Sequence, residues 1–134
     1  LGDVYKRQYQ FRYYVLSLPR EILYDRINRR VDVMRRDGLV DEVKGLLQQG
    51  ITPNMVSMQG LGYKEILAYL NGTSTLEEAI YIIKRESRHF AKRQITWFKR
   101  ERQVEWFDKQ DFGYDAQVIL DAMLASLREK KIIR

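Results

Sequence analysis

The sequence predicts a mostly α-helical fold with one or two short β-strands, and three observations lead to this prediction. Apolar residues recur at spacings of three and four in several segments, which is the period of an amphipathic helix. Glycines and short polar side chains stand where those segments end or begin. Two short stretches, YYVLSL from Tyr13 and VEWFD from Val104, are instead rich in the aromatic and β-branched residues typical of strands.

The composition is that of one globular domain or part of one, since 45% of the 134 residues are hydrophobic. The absence of cysteine excludes a disulfide framework, a cysteine-ligated zinc site and a thiol nucleophile, and it favours a cytosolic, bacterial-type protein. No apolar run approaches the roughly 20 residues that span a bilayer. Residues 1–8, LGDVYKRQ, show no periodicity, and we expect a non-native or truncated leader there, followed by one incomplete domain over 9–134.

The first predicted strand leads into a helix over 20–37, and Pro19 suits the first turn of that helix. Gly38 ends the helix, and four apolar side chains share one of its faces: Leu23, Ile27, Val31 and Met34. Arg30 lies within this apolar face and Arg26 at its edge. A guanidinium that faces inward needs a carboxylate or an anionic ligand. The pattern therefore leaves a buried ion pair and a phosphate-facing role equally open.

Two shorter helices are predicted next, over 40–49 and 63–70. The second of them follows directly on Gly60 and Gly62. Its free N–H groups, with Lys64 in the first turn, could bind an anion. An ordinary tight turn is the commoner explanation for two such glycines, and no Walker-type phosphate loop occurs in the sequence.

The segment 84–102, KRESRHFAKRQITWFKRER, holds all of the formal net charge of the chain. It contains eight Lys or Arg and two Glu, a balance of +6, and the whole chain also carries +6. Capping boxes at Ser74–Glu77 or Thr75–Glu78 predict a long helix that begins just after them. A basic run is often only a solvated helix face, but few acids stand among these cations. We therefore expect the run to bind a polyphosphate outside the chain.

Helical spacing divides this basic helix into two faces. The apolar face carries Leu76, Ala79, Ile80, Ile83, Phe90, Ala91, Trp97 and Phe98, and nearly opposite lie Arg85, Arg88, Lys92 and Lys99. Gln94 falls within the apolar face, where a buried amide needs a hydrogen-bond partner. Trp97 and Phe98 fit a core, which we favour, although beside Lys99 they could also stack on an unpaired base.

The remaining predictions concern the end of the chain and the chemistry that the residues allow. The strand VEWFD is expected to be buried, as is YYVLSL. A last amphipathic helix, roughly 114–130, is expected to pack Val118, Ile119, Ala122, Met123 and Leu127. The single histidine, His89, falls on the exposed side of the basic helix, so the sequence offers no triad, metal cluster or acid and base pair. By itself the chain resembles a binding surface without catalytic groups.

Four stretches in collinear order resemble the C-terminal half of tRNA dimethylallyltransferases, also called tRNA isopentenyltransferases. They are PREILYDRINRRVDVMRRDGLVDEV, MQGLGYKEILAYLNG, AKRQITWFKR and VEWFD, and the similarity covers about 9–108. The GYKE and KRQITWF stretches are the most specific. Gly60 stands where members of the family often carry Ala or Cys.

The resemblance implies an enzyme that transfers the dimethylallyl group of dimethylallyl diphosphate to the exocyclic amine of the adenosine 3′ of a tRNA anticodon. Mg²⁺ would be bound at the diphosphate. Family members fold as a P-loop α/β core with a helical insertion that closes on the anticodon stem-loop. The phosphate-binding loop, the catalytic Asp and the insertion are missing here. We therefore expect this chain alone to be inactive and the intact enzyme to be a cytoplasmic monomer.

The resemblance also assigns roles to residues of this chain. Arg26 and Arg30 would bind the diphosphate, and no catalytic residue or metal ligand is expected within the chain. The tRNA-binding residues would be Gln59, Gly60, Leu61, Gly62, Tyr63, Lys64, Arg88, Lys92, Arg93, Gln94, Ile95, Thr96, Trp97, Phe98 and Lys99. Two other interpretations stay open: a helical RNA-binding or adaptor module without chemistry, and a helical domain whose basic face meets an acidic protein.

Overall fold

The computed structural model describes residues 11–52, 54, 55, 58, 60–101 and 103–133. Helices dominate, and the two strands lie where the sequence predicts them, which confirms the predicted fold class. The elements in chain order are β1 (Tyr13–Ser17), α1 (Arg20–Arg36), α2 (Leu39–Gln48), α3 (Tyr63–Leu70), α4 (Leu76–Lys99), β2 (Val104–Asp108), a 3-10 turn (Lys109–Phe112) and α5 (Ala116–Glu129). The predicted leader over 1–8 lies outside the described residues.

The described chain forms two compact units. A helical unit consists of Glu21–Gln94, and a sheet unit consists of the described residues among 11–20 and 95–133. The core of the helical unit is made by α1 to α4 and the segment before α3. Its buried side chains are Val31, Leu39, Val43, Met58, Ile66, Leu67, Ala79, Ile80 and Ile83. Met34, which the helical spacing places on the same face as Val31, is 37% exposed and does not belong to this core.

Backbone geometry explains where the helices of this unit begin and end. Gly38 has a φ of +110°, a left-handed conformation that ends α1 as predicted, and α2 begins at the next residue. The Thr75 Oγ1 accepts the N–H of Glu78 at 3.1 Å, so Thr75 caps α4 and the second of the two predicted boxes supplies the cap. α3 spans 63–70, as predicted from the sequence.

The sheet unit is built on a parallel pair of strands. Tyr13 of β1 pairs with Val104 of β2, and the register continues to Ser17 and Asp108. Phe107 is buried, and the Tyr14 ring packs on it edge to face with centroids 5.2 Å apart. The expectation of fully buried strands is wrong, because the described sheet has only two strands and leaves three large side chains exposed: Tyr13, Leu16 and Trp106.

The helix α5 completes this unit and begins later than predicted. Asp115 caps it, since its Oδ1 accepts the N–H of Gln117 at 2.9 Å and that of Val118 at 3.3 Å. Ile119 is buried as predicted, whereas Val118 is 46% exposed and does not belong to the core. The Ser126 hydroxyl, which is buried, donates to Glu105 Oε2 of β2 at 2.6 Å. Of the described helices, none has the length and apolarity that crossing a membrane requires.

Candidate nucleic-acid interface

The helix α4 carries most of the basic segment, and its burial changes along its length. Ala79, Ile80 and Ile83, in its first two turns, are buried in the core of the helical unit. Further along the same predicted apolar face, Phe90 is 52% exposed and Trp97 is 57% exposed. The core therefore covers only the start of this face, and the prediction that Phe90 and Trp97 are core residues is wrong.

Gln94 is also exposed, contrary to the expectation of a buried amide. The cost of desolvating its side chain therefore does not arise, and its amide is accessible to an external partner. Thr96 is exposed, whereas Ile95 and Phe98 are half-buried. The rings of Trp97 and Phe98 meet edge to face with centroids 4.9 Å apart, which favours one orientation of the exposed indole.

The first cations of the basic segment are engaged within the protein. Lys84 Nζ lies 2.7 Å from Asp32 Oδ1 of α1, and Arg85 Nε lies 3.2 Å from Glu86 Oε1. Arg88 Nη1 donates to Asn28 Oδ1 of α1 at 2.7 Å. The expectation that these cations lack acidic partners is therefore wrong for Lys84 and Arg85. Asn28 and Asp32 were not predicted as partners of these cations, although their four-residue spacing could have indicated a shared face.

Beyond Arg88 the cations of α4 are exposed. Lys92, Arg93 and Lys99 all have exposed side chains, and Arg100 follows directly on the helix. Lys92 also takes part in an interaction within the protein. Cations near the C-terminal end of a helix are favoured by its dipole, so these charges can gather there without acidic partners on every side. The last part of α4 therefore carries both exposed cations and the exposed aromatic ring of Trp97.

The second predicted tRNA-binding segment lies at the start of α3. Gly60 and Leu61 are exposed, and Gln59 lies outside the described residues. Gly62 has a φ of +97°, and its N–H donates to Glu65 Oε2 at 2.8 Å. The buried Glu65 carboxylate thus accepts the Gly62 N–H, which would otherwise be available to bind an external anion. Of the two explanations that the sequence left open, an anion site and an ordinary tight turn, these contacts support the tight turn.

The side chains next to this turn contact carboxylates. Lys64 Nζ lies 3.9 Å from Glu65 Oε1 and is more than half exposed. The Tyr63 hydroxyl donates to Glu42 Oε1 of α2 at 2.9 Å. That hydrogen bond and the negative charge of Glu42 raise the pKa of Tyr63. The Tyr63 side chain is thereby bound to α2, whereas Lys64 remains accessible.

A hollow between α3 and α4 brings part of the two predicted segments together. It has a volume of about 610 Å³, and Lys64 and Glu65 of α3 line one side of it. Arg85 and Glu86 of α4 line the other side, and Ser74 also contributes to its wall. Residues 88–99 do not line it, so this hollow brings Lys64 to the first part of the basic segment only.

Arg26 and Arg30, predicted to bind diphosphate, both have exposed side chains. The predicted inward orientation is therefore wrong: Val31 of α1 is buried in the core, and both arginines are exposed to solvent. Arg30 lines a hollow of about 430 Å³ at the turn between α1 and α2, together with the carboxylates of Asp37 and Glu42. Arg26 takes part in an interaction within the protein.

Metal binding finds little support in the described part of the chain. No three His, Cys, Asp or Glu side chains gather there in a way that could hold a metal ion. His89 is exposed, as predicted, and its Nδ1 lies 4.0 Å from Glu86 Oε2. The described residues therefore do not fit a Mg²⁺ site.

Comparison with known proteins identifies the family. The family described as IPP transferase matches residues 3–101. The chain is 55% identical, over 94% of its length, to a tRNA dimethylallyltransferase of Lachnoclostridium phytofermentans, and 57% identical, over 81%, to one of Clostridioides difficile. It spans only 40% and 35% of the lengths of these two relatives.

Two solved structures are similar to this one. A tRNA isopentenylpyrophosphate transferase of Bacillus halodurans matches 89% of the chain with a TM-score of 0.78 and 46% identity. That of Staphylococcus epidermidis matches 85% with a TM-score of 0.78 and 39% identity. The chain covers 40% and 37% of these two structures. Sequence and fold agree, and the chain belongs to the IPP transferase family.

Proposed function

We propose that this chain is part of a tRNA-modifying prenyl transferase. The complete enzyme would transfer the dimethylallyl group of dimethylallyl diphosphate to the exocyclic amine of the adenosine next to the 3′ side of the anticodon. The observation that carries the proposal is the 55% and 57% identity to two tRNA dimethylallyltransferases. The complete enzyme would act as a monomer in the cytoplasm.

The role proposed for this chain is to supply contacts to the tRNA anticodon stem-loop. Lys92, Arg93 and Lys99 are exposed on one stretch of α4 and can neutralise phosphates. Trp97, 57% exposed in the same stretch, offers a face on which an unpaired base can stack. Lys64 and the exposed Gly60 and Leu61 would add contacts from the start of α3. The other residues that the resemblance assigns to tRNA binding are Gln59, Gly62, Tyr63, Arg88, Gln94, Ile95, Thr96 and Phe98.

A second proposed role is to stabilise the diphosphate leaving group. Arg26 and Arg30 lie four residues apart on α1, and their exposed guanidinium groups can reach an external anion. Charge-assisted contacts there would stabilise the negative charge that grows as the diphosphate departs. The Mg²⁺ that the resemblance implies would need ligands other than the described residues.

Transfer of labelled dimethylallyl from its diphosphate to tRNA by the complete transferase tests this proposal. We expect Arg30→Ala and Lys92→Ala to lower turnover about tenfold or more, since a lost charge-assisted contact is worth about 1.5–3 kcal/mol. Lys44→Ala, which removes an exposed cation from α2, is the matched control and should keep wild-type turnover. Wild-type kinetics in both test variants would remove Arg30 and Lys92 from the site.

The alternative is an RNA-binding or adaptor module without chemistry. The exposed cations and the exposed indole of α4 favour it, because such a surface binds RNA without catalytic groups. The same assay separates the two functions. Binding of tRNA without any transfer of the label, by the complete protein with Mg²⁺ present, would support the module.

A further inference from the structure

Three polar contacts connect α1 to α4 inside the helical unit. Asn28 Oδ1 accepts from Arg88 Nη1 at 2.7 Å, and Asp32 Oδ1 lies 2.7 Å from Lys84 Nζ. Arg35 Nη2 donates to Glu77 Oε1 at 3.0 Å. The residue number rises along α1 as it falls along α4, so the two helices are antiparallel at these contacts. We call these three pairs the α1–α4 ladder.

The ladder lies beside the core. Val31 of α1 and Ile80 and Ile83 of α4 stand between its positions in the sequence, and all three are buried. The Lys84 side chain is only 24% exposed, although its carboxylate partner is 57% exposed. Arg88 is likewise half-buried. Both cations are therefore drawn toward α1, which makes their charge less accessible to an external ligand.

The ladder divides the basic segment into two parts. Lys84 and Arg88 contact α1, whereas Arg93 and Lys99 are exposed, as is Lys92, which also takes part in an interaction within the protein. A cation that already has a partner at 2.7 Å has fewer N–H groups left for a phosphate, and its remaining donors are held beside α1. An exposed cation such as Arg93 mainly gives up water, so it binds a phosphate at a lower cost.

We propose that Asn28 and Asp32 are positioning residues for tRNA binding: they hold Arg88 and Lys84 against α1 and so fix the direction of α4. Lys84 and Arg88 then make no phosphate contact, and the exposed cations beyond Arg88 make such contacts instead. This inference rests on the proposed function, because it assigns separate tasks to two parts of one proposed interface. Arg88, included above among the tRNA contacts, thereby receives an indirect role.

A charge exchange on the complete transferase tests the pair of Asp32 and Lys84. We expect Lys84→Asp to weaken binding of an anticodon stem-loop about two- to fivefold, the range for a partly exposed ion pair. Adding Asp32→Lys should restore affinity to within about twofold, since the pair is rebuilt with its charges exchanged. If Lys84 instead contacted a phosphate, the exchanged variant would stay as weak as Lys84→Asp, and the proposal would be overturned.

The salt dependence of binding gives a second, independent test. Removing a phosphate contact makes the slope of log K against log salt shallower by about 0.7–0.9. Lys84→Ala and Arg88→Ala should leave the slope of the wild type unchanged, while the matched variant Arg93→Ala should make it shallower. A shallower slope in Lys84→Ala or Arg88→Ala overturns the inference alone. A wild-type slope near zero overturns the proposed function and this inference with it.

Thermal unfolding without RNA tests the ladder by itself. In a double-mutant cycle of Asn28→Ala and Arg88→Ala, the two substitutions together should cost less than the sum of their separate effects. Additive effects would show that the pair does not couple and would overturn the positioning role. This measurement needs no tRNA, so it is independent of the proposed function. If Asn28 and Arg88 couple but stem-loop binding does not depend on salt, the proposed function has failed and the contact itself stands.

Discussion

At Gly62 the backbone adopts a conformation that only glycine adopts without strain. Its φ is +97°, and a Cβ placed there would find open space. The constraint is therefore conformational, and crowding by neighbours does not contribute to it. Gly45, within α2, would also have open space around a Cβ, but its φ is not in the left-handed region. Substitutions at these two glycines therefore test backbone strain without any change in packing.

We expect Gly62→Ala to lower the free energy of unfolding by about 1–2 kcal/mol, the cost of a left-handed conformation for a residue with a Cβ. Gly45→Ala is the control and should raise it by about 0.5–1 kcal/mol, since alanine is favoured over glycine within a helix. Urea denaturation of the full chain measures both. Equal stability of Gly62→Ala and wild type would contradict this explanation of the turn.

A pH effect follows from Glu77. The hydrogen bond from Arg35, a backbone hydrogen bond and the positive charge of Arg35 lower the pKa of the Glu77 carboxyl. A lowered pKa in the folded state means that the contact stabilises the protein above the ordinary pKa of the carboxyl. That stability is lost as the pH falls through the folded pKa.

Arg35→Ala should therefore unfold at a lower temperature than the wild type at pH 7, and the difference should shrink as the carboxyl becomes protonated in acid. Lys44→Ala is the control, because the same number of positive charges is lost from an exposed helix position. Melting temperatures followed from pH 7 into the acid range provide the measurement. A difference that stays constant with pH would show that Glu77 is not the partner that matters.

Among the helices, α5 begins where a single side chain caps it. Both N–H groups that the Asp115 carboxylate accepts belong to the first turn. Asp115→Ala should cost about 0.5–2 kcal/mol of stability, and Asp115→Ser should retain most of it because a hydroxyl also caps. Denaturation of the two variants checks this expectation. If serine proved as costly as alanine, capping would not be the function of Asp115.

The bounds of α3 and the start of α4 were predictable from the sequence because local signals specify them, whereas α5 begins later than predicted. α3 begins and ends at the predicted residues, and Thr75 caps α4. The exposure of Phe90 and Trp97 was not predictable, since periodicity shows which residues share a face but not how far a core extends. The contact of Arg88 with Asn28 joins positions 60 residues apart, which no local pattern reveals.

The same distinction applies to the candidate site. The composition of the basic segment and the glycines before α3 predicted the two stretches of the candidate interface, and the family resemblance assigned roles to their residues. Helical spacing predicted that Arg26 and Arg30 face inward, yet both are exposed. Spacing alone cannot decide this, because the apolar face of α1 buries only Val31 completely.

Across the whole chain, the positive charge is local, since segment 84–102 carries the entire balance of +6. An acidic protein could in principle meet this charge as well as RNA. Competition for a labelled stem-loop distinguishes the two partners. We expect unlabelled tRNA to displace it and an equally charged polyglutamate peptide to displace it poorly, because only RNA offers bases to stack on Trp97. Equal displacement by the peptide would support an acidic protein partner.

The role of the exposed cations of α4 is tested most sharply by the salt dependence of anticodon stem-loop binding. The complete transferase is compared with its triple variant Lys92→Gln, Arg93→Gln, Lys99→Gln. If each of these side chains neutralises one phosphate, the wild-type slope of log K against log salt should be steeper than that of the variant by about 2–3. Equal slopes, or a wild-type slope near zero, would contradict the claim that these cations bind the tRNA backbone.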